Sequence, residues 1–279
     1  MSYVDLHVHS NASDGTLSPE QVVRLAHEAG LSAIALTDHD TTAGVAGAAE
    51  AGAELGLEVV PGIEVSSSFR DHEIHILGLF VDTDSPSLQA ALKEFRHHRD
   101  QRNQEMLGRF DAHGIHLTAE DLCAGNPDTV ITRAHVARAL LAKGLGPDLD
   151  HIFKKYLQYG GIYCPPKEFL PPEAVMEALL DSHAFVALAH PFQYKLGDKA
   201  TEELIAYLAG LGMKGLEVYH SSHNRLESAK LQAMAARHHL LSTGGSDFHG
   251  SNKPDISIGT GRGGLRVSSL LLDAIKNTL

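Results

Sequence analysis

The sequence predicts an α/β protein in which a closed or nearly closed β/α barrel carries a helical insertion over its mouth. Short strand-like runs alternate with helical stretches, and the middle of the chain breaks this alternation. Repeated βα units imply a parallel sheet, and about seven strands in one chain are typical of a barrel. An open, doubly wound sheet is the alternative that the same pattern allows.

The first strand is predicted over residues 4–9, where apolar and polar side chains alternate with period two. A helix then begins, with Ser18 as N-cap, Pro19 as first helical residue and Gln21 as capping-box partner. Gly30 is expected to end it. Further elements are predicted as strands at 33–37, 58–60, 63–65 and 73–80 and as an Ala-rich helix at 43–56.

The last third of the chain repeats the alternation. Its helices are predicted at residues 172–183, 201–212 and 223–239, and its strands at 185–189, 215–219 and 240–243. Between the two parts, residues 131–140 and 149–157 have helical patterns, and no convincing strand occurs. We therefore expect a barrel formed by residues 1–102 and 167–279, with residues 103–166 as an inserted helical, substrate-binding subdomain.

Composition narrows the class of protein. The 279 residues are 43% hydrophobic and 21% charged, a balance that supports a large core without disulfides. The two cysteines, Cys123 and Cys164, form no metal or redox motif and are expected to be free thiols in a reducing compartment. No leader sequence is visible and no apolar run approaches the ~20 residues of a membrane span. We expect a cytoplasmic protein with no membrane or protein partner.

The net charge of −12 argues against a long nucleic acid as partner. A small anionic substrate remains compatible with it if a local pocket is positive. Bound metal ions would supply that positive charge, and the formal count of charged residues omits them.

Histidines and carboxylates cluster at the C-terminal ends of the predicted strands, which meet on one face of a barrel. Taken singly, each has an ordinary explanation as a structural residue, a turn former or a helix cap. Together, so many ionisable groups on one face would be costly through desolvation and repulsion unless cations are bound. The candidate metal ligands are His7, His9, Asp14, His39, Glu64, His75, His190, Asp247 and His249.

Imidazole and carboxylate ligands without thiolate suit manganese, which we favour, and also zinc or iron. At about three or four protein ligands per ion, the set suffices for two or three divalent ions. Glu64 is the expected bridging carboxylate, and Glu64, His190 and Asp247 are the expected catalytic residues. Asp38 and Asp40 are expected either to orient a neighbouring imidazole or to be solvated in their loop.

Short motifs surround these candidates and occur in order between residues 5 and 249. They are His7-Val8-His9-Ser10, Thr37-Asp38-His39-Asp40, Gly62-Ile63-Glu64, His75, Ala189-His190-Pro191 and Gly245-Ser246-Asp247-Phe248-His249. The set resembles the motifs of the polymerase and histidinol phosphatase (PHP) family. This resemblance implies a distorted seven-stranded barrel with a trinuclear metal centre. The implied ligand groups are His7, His9 and Asp247 with Glu64 bridging; Glu64, His75 and His190; and Asp14, His39 and His249.

The insertion carries Thr132-Arg133-Ala134-His135-Val136-Ala137, which resembles stand-alone bacterial PHP members. Those members act as 3′,5′-nucleotide bisphosphate phosphatases, and some relatives trim short RNA from its 5′ end. The resemblance implies hydrolysis of the 3′-phosphate of a substrate such as adenosine 3′,5′-bisphosphate by a metal-activated hydroxide. The alternatives are a 5′→3′ exoribonuclease, a histidinol phosphatase, a non-catalytic metal or nucleotide sensor, and an amidohydrolase-type activity.

A second substrate phosphate needs cations away from the metal ions. The expected substrate contacts are Arg133, His135, Ser222, His223, Asn224 and Arg225. The first two are expected from the resemblance, with exposed helix positions as the alternative. The last four follow a strand end and either receive an anion or simply cap a helix. Lys154, Lys155 and Lys167 are further candidates for such contacts, with the solvated surface as the favoured expectation, and Tyr156 is expected in the core rather than against a base.

Overall fold

One eight-stranded sheet organises the computed structural model, which describes residues 2–70, 72–123, 126 and 128–279. The strands are β1 Tyr3–Val8, β2 Ala33–Leu36, β3 Glu58–Phe69, β4 His72–Leu79, β5 Phe185–Leu188, β6 Gly215–His220, β7 Leu241–Gly245 and β8 Val267–Ser268. The helices are α1 Pro19–Glu28, α2 Val45–Leu55, α3 Pro86–Ala112, α4 Ala119–Cys123, α5 Arg133–Ala142, α6 Leu149–Tyr156, α7 Pro172–Asp181, α8 Asp198–Gly210, α9 Arg225–Arg237 and α10 Ser269–Lys276. The strand order is β7-β6-β5-β4-β3-β2-β1-β8.

The sheet closes between β1 and the end of β7. The backbone N–H of Asp247 donates to the His7 carbonyl at 2.8 Å, and the N–H of His9 donates to the Phe248 carbonyl at 2.9 Å. Strand β8 pairs with β1 only at Tyr3 and Val4, so it is a short addition outside the closure. The predicted β/α barrel is therefore confirmed, with one strand more than the sequence indicated.

The sheet is parallel except at β4, which runs antiparallel to both β3 and β5, and at the short β8, which runs antiparallel to β1. This differs from the uniform βα repetition that the sequence suggests. Only two positions separate β3 from β4, far fewer than a parallel crossover needs. The result is a long hairpin in which Ser66 pairs with His75. Because side chains alternate along a strand, Glu64 and His75 point to the same face.

The helices pack apolar faces against the outside of the sheet. Ile76 and Leu188 on the strands share one buried cluster with Val175 of α7 and Leu204 of α8. Helix α1 begins as predicted, with Ser18 as N-cap and reciprocal capping-box bonds to Gln21. None of the described helices combines the length and apolar character that crossing a bilayer requires.

The middle of the chain has an apolar core of its own. Phe110 of α3, Val136 of α5, and Ile152 and Tyr156 of α6 are buried together there, so Tyr156 lies in the core as expected. Helix α3 crosses the first boundary proposed for the subdomain at 103–166. That division of the chain therefore stays a prediction.

Gly245 allows the close approach of β7 to β1. A Cβ atom at this position would lie 2.3 Å from the His7 Cβ and 2.4 Å from the His7 backbone nitrogen. We expect Gly245→Ala to lower the free energy of unfolding by about 2–3 kcal/mol, because a backbone contact cannot relax by changing rotamer. Urea denaturation measures the change. Gly264→Ala is the control, since its Cβ meets nothing within 4 Å, and equal stability of the two variants would contradict this explanation.

Candidate metal centre

Five imidazoles converge on the fully buried carboxylate of Glu64. Its Oε2 atom lies 3.2 Å from a ring nitrogen of each of three histidines. Its Oε1 atom lies 2.9 Å from a ring nitrogen of each of two more. The first three are His7, His9 and His39, and the other two are His75 and His190.

Two aspartates complete the cluster at the ends of β1 and β7. Asp247 Oδ1 lies 3.5 Å from His9 Nε2 and 3.3 Å from His249 Nδ1. Asp14 Oδ1 lies 3.2 Å from His249 Nε2 and 3.9 Å from His39 Nε2. The structure therefore brings all nine predicted side chains into one site.

The donor atoms in this cluster fit divalent metal ions. Ligands about 2.1 Å from one ion stand about 3.0–3.5 Å apart, which is close to the separations found here. Several of the atoms that could bind a metal ion are buried and form no hydrogen bond with any described residue. They include His9 Nδ1, His39 Nδ1, Asp14 Oδ1 and Glu64 Oε2. Leaving such atoms unpaired is costly, and bound cations would satisfy them.

The ligand groups differ in part from those that the family resemblance implies. His7, His9 and Asp247 come together as expected, and Asp14, His39 and His249 are joined by His9. The implied group of Glu64, His75 and His190 is divided: Glu64 meets His75 together with His39, and it meets His190 together with His7. His75 and His190 nevertheless lie 2.9 Å from the same Glu64 oxygen, Oε1, whereas His7 and His39 lie 3.2 Å from Oε2.

The electric field of the cluster keeps Glu64 ionised. Burial alone would raise the pKa of Glu64, but the charges of His39 and His75 outweigh burial and hold this pKa well below its usual range. The same carboxylate raises the pKa of His75 to about 9, against the effect of burial. Burial lowers the pKa of His190 to about 4. The centre thus combines buried anionic oxygens with imidazole nitrogens suited to cations.

The strand ends turn sharply at the site. Non-glycine residues rarely adopt positive φ, yet Asp40, His190 and Asp247 have φ of 53°, 26° and 58°. Each such residue costs about 1–3 kcal/mol and persists only where its surroundings hold it. The turns aim the His190 and Asp247 side chains into the cluster.

Asp38 and Asp40 fix the loop after β2 without contacting an imidazole. Asp38 accepts hydrogen bonds from the Ser10 backbone N–H at 2.8 Å and from the Ser13 hydroxyl at 2.6 Å. Asp40 accepts one from the Ser66 backbone N–H at 2.9 Å and also pairs with an arginine of α3. Both carboxylates are buried, so neither is solvated in its loop.

Sequence reasoning missed Glu217 and Lys253. Glu217 lies within β6, with Oε1 3.0 Å from His7 Nδ1, and its Oε2 accepts the His190 backbone N–H at 2.7 Å. This contact orients the His7 ring so that Nε2 faces the cluster. Lys253 Nζ lies 2.6 Å from Asp247 Oδ2 and lowers the pKa of that carboxyl despite burial. A carboxylate in the middle of a buried strand was the available indication for Glu217.

A small cavity of about 150 Å³ opens beside the metal centre. It is called the arginine pocket here. Asp14, His39 and His75 of the metal centre form one side of it. The opposite side consists of four cationic side chains and two aromatic rings, which are Arg99, Arg102, Arg133, Lys167, Phe153 and Tyr159.

Two cations of the arginine pocket, Arg133 and Lys167, are held in place by Glu73 and Tyr159, while Arg99 is paired with Asp40. The Arg133 guanidinium lies 3.7 Å from the centroid of the Tyr159 ring and 3.8 Å from Glu73 Oε2. Lys167 forms an ion pair with Glu73, and burial lowers the pKa of Lys167 to about 8. Only 10% of the Lys167 side chain is exposed, so the expectation that it lies on the solvated surface is wrong. By contrast, the Lys154 side chain is 77% exposed, as expected.

His135 does not line the arginine pocket. Its Nδ1 accepts a hydrogen bond from the Thr132 backbone N–H at 3.0 Å, which completes the capping box of α5. This position turns the ring back toward the start of the helix. The side chain is buried, and burial lowers its pKa to about 4. The expected phosphate contact through His135 therefore has no geometric support, unlike that through Arg133.

Three of the four predicted contacts after β6 line a different, larger cavity of about 650 Å³. We call it the β6–α9 cavity. His223, Asn224 and Arg225 line it, whereas Ser222 does not and instead lies 2.7 Å from His220 Nδ1. Asn224 caps α9, as the alternative interpretation proposed. The two cavities share no lining residue, so these positions do not join Arg133 at one phosphate.

Comparison with known proteins agrees with this geometry. The PHP domain profile matches residues 5–162. The chain is 35% identical over 261 residues to the 3′,5′-nucleoside bisphosphate phosphatase of Chromobacterium violaceum, covering 93% of this chain and 91% of that one. It is 36% identical over 250 residues to the 5′-3′ exoribonuclease Rnm of Escherichia coli, covering 88% and 84%.

A solved structure from Bifidobacterium adolescentis, described as a metal-dependent phosphoesterase, is similar with a TM-score of 0.87 and 30% identity. That similarity covers 98% of this chain and 95% of the other. The chain therefore belongs to the PHP domain family.

Proposed function

We propose that this metal-dependent phosphoesterase removes the 3′-phosphate of nucleoside 3′,5′-bisphosphates, giving a nucleoside 5′-monophosphate and phosphate. One observation carries the proposal: the arginine pocket and the metal centre share Asp14, His39 and His75 as a common wall. Two anion-binding environments therefore lie side by side, as a substrate with two phosphates on one ribose requires. The name of the relative from Chromobacterium violaceum supports the same substrate class.

The arginine pocket is suited to the phosphate that is not cleaved. Arg99 and Arg102 lie three residues apart on α3 and therefore on one face of that helix. Together with Arg133 they present planar donors that match phosphate oxygens. Tyr159, which is 37% exposed beside them, offers a ring face for the base.

We assign the nine predicted ligands to two or three divalent ions, with manganese favoured and zinc or iron also suited. Bound ions would activate a water molecule near neutral pH and neutralise the phosphoryl oxygens. Glu64 holds the ligand set together through its contacts with five imidazoles. Glu217 orients His7, and the arginine pocket fixes the substrate so that its 3′-phosphate lies against the metal centre.

A 5′→3′ exoribonuclease acting on short RNA is the second candidate, favoured by the similarity to the Escherichia coli exoribonuclease. Both reactions break the bond between phosphorus and the 3′ oxygen of a 5′-phosphorylated nucleotide. The same metal centre therefore suits either reaction. We further propose a cytoplasmic location and a small nucleotide as the principal partner, consistent with the net charge of −12.

The first test is phosphate release from adenosine 3′,5′-bisphosphate by manganese-loaded protein, with a 5′-phosphorylated oligoribonucleotide in parallel. Release of phosphate, leaving AMP, is the expected result. Degradation of the oligonucleotide alone, with mononucleotide products, would replace the phosphatase by the exonuclease. Hydrolysis of neither would contradict both.

We expect Arg133→Ala to lower kcat/KM for the bisphosphate about 10- to 100-fold, because one charge-assisted contact contributes about 1.5–3 kcal/mol. Turnover of a simple aryl phosphate, which has no second phosphate, should change less than about twofold by the same argument. Steady-state kinetics on both substrates measures the difference. Lys154→Ala removes an equal charge from the exposed surface of the insertion and is the control. Equal losses on the two substrates would contradict a phosphate-binding role for Arg133.

A further inference from the structure

The β6–α9 cavity and the arginine pocket lie on different sides of the metal centre. The arginine pocket meets the centre at ligands that include His75 on β4. The β6–α9 cavity meets it at His220, the last residue of β6, whose Nε2 lies 3.4 Å from Asp247 Oδ2. Strand β5 separates β4 from β6 in the sheet. A phosphate at the metal centre therefore lies between the two cavities.

The β6–α9 cavity contains guanidinium groups that have no carboxylate partner among the residues that the structure describes. Arg262 is paired with Asp255 at 2.6 Å and donates to the Ser221 carbonyl at 3.0 Å. Arg225 and Arg266 form no ion pair with any described residue, although both line the cavity. Two such side chains in one concavity of a chain with net charge −12 indicate an anionic ligand.

Ring faces accompany these charges. Tyr219 and His223 line the same cavity, and His223 Nδ1 lies 3.1 Å from the Val218 carbonyl, which fixes the ring. Positive charge combined with aromatic rings is the usual arrangement for binding single-stranded nucleic acid, since bases stack and phosphates pair. The volume of about 650 Å³ accommodates a nucleotide, whereas the arginine pocket, at about 150 Å³, is much smaller.

We infer that the β6–α9 cavity binds the nucleotide that follows the scissile phosphate in a short, 5′-phosphorylated RNA. The inference rests on the proposed function, in which the 5′-phosphate occupies the arginine pocket. The first internucleotide phosphate then lies at the metal centre, and the rest of the RNA continues toward Arg225 and Arg266. A nucleoside bisphosphate has no group beyond its 3′-phosphate and does not reach the cavity.

The reaction at this site is a hydrolysis. Water forms the new bond to phosphorus, and the bond between phosphorus and the 3′ oxygen of the first nucleotide breaks. The first nucleotide leaves with its 5′-phosphate and a 3′-hydroxyl, which takes the proton from water. The shortened RNA keeps the scissile phosphate as its new 5′-phosphate and is therefore again a substrate of the same kind.

The test compares a 5′-phosphorylated pentaribonucleotide with adenosine 3′,5′-bisphosphate on manganese-loaded protein. The double variant Arg225→Ala/Arg266→Ala should lose about 10- to 100-fold in kcat/KM for the RNA, as expected for two phosphate-binding arginines. Its turnover of the bisphosphate should stay within about twofold, which also reports that the variant is folded. Lys199→Ala/Arg237→Ala removes the same charge outside the cavity and should leave both activities unchanged.

Losses on both substrates, or on neither, would overturn the inference. Wild-type protein that hydrolyses the bisphosphate but leaves the RNA intact would also overturn it while the proposed phosphatase stands. Wild-type protein that hydrolyses neither substrate would instead overturn the proposed function itself.

Discussion

Glu64→Gln is expected to reduce kcat on the bisphosphate by about 10³- to 10⁴-fold, because metal ions contribute several kcal/mol to the transition state. An amide has the shape of the carboxylate but carries no charge, and half of it donates rather than accepts hydrogen bonds. Five imidazoles would then face a neutral group in place of the anion at their centre. The bound metal should fall together with activity.

Elemental analysis of the purified variant and phosphate release measure the two effects. Glu58→Gln makes the same chemical change on the same strand, at a partly exposed residue paired with Lys276. It should keep full metal content and activity. A Glu64→Gln protein with normal metal and normal turnover would contradict the central role of this carboxylate.

Asp247→Ala should have an effect of similar size, about 10³-fold or more on kcat. The substitution removes the aspartate that lies in one group with His7 and His9, and it leaves Lys253 facing the cluster without this partner. Both changes disfavour a cation at this position. We expect bound metal and activity to be lost together, as measured by elemental analysis and by phosphate release.

Asp273→Ala, on the exposed face of α10, is the control for the Asp247 variant and should behave as the unmodified protein. Adding Lys253→Met to Asp247→Ala separates the effect of the lost metal ligand from the effect of the unpaired Lys253 ammonium group. If loss of the ligand dominates, the double variant stays inactive. Recovered turnover would show that the unpaired ammonium group, and not the missing ligand, is responsible.

The position of the metal centre could be predicted because local patterns decide where each strand ends. His7 and His9 are two apart on a strand, and the C-terminal ends of parallel strands meet on one face. The barrel therefore brings together residues that no local rule connects. Glu64 at its centre was recognisable by the same argument, since it lies in a strand with apolar neighbours.

The partners that support the centre could not be predicted in this way. Glu217 and His7 are 210 positions apart, and nothing near either residue specifies the pair. Arg99 and Arg102 lie in a stretch of α3 rich in charged residues, which by itself is typical of a solvated helix. Their burial follows from how α3 packs over the barrel mouth, which depends on contacts between distant segments. The antiparallel direction of β4 was not predicted, for a related reason. The short connection between β3 and β4 is recognisable in the sequence, but the direction of β4 depends on its pairing with β3 and β5.

The proposed ligands span nearly the whole chain, from His7 in β1 to His249 beyond β7. A ribosome that adds about 5–20 residues per second needs roughly 12–50 s between these two positions. During that interval the early histidines exist without Asp247 and His249, which follow β7. Metal loading is therefore an event that follows synthesis of nearly the complete chain, and a nascent chain interrupted before β7 would lack a closed site.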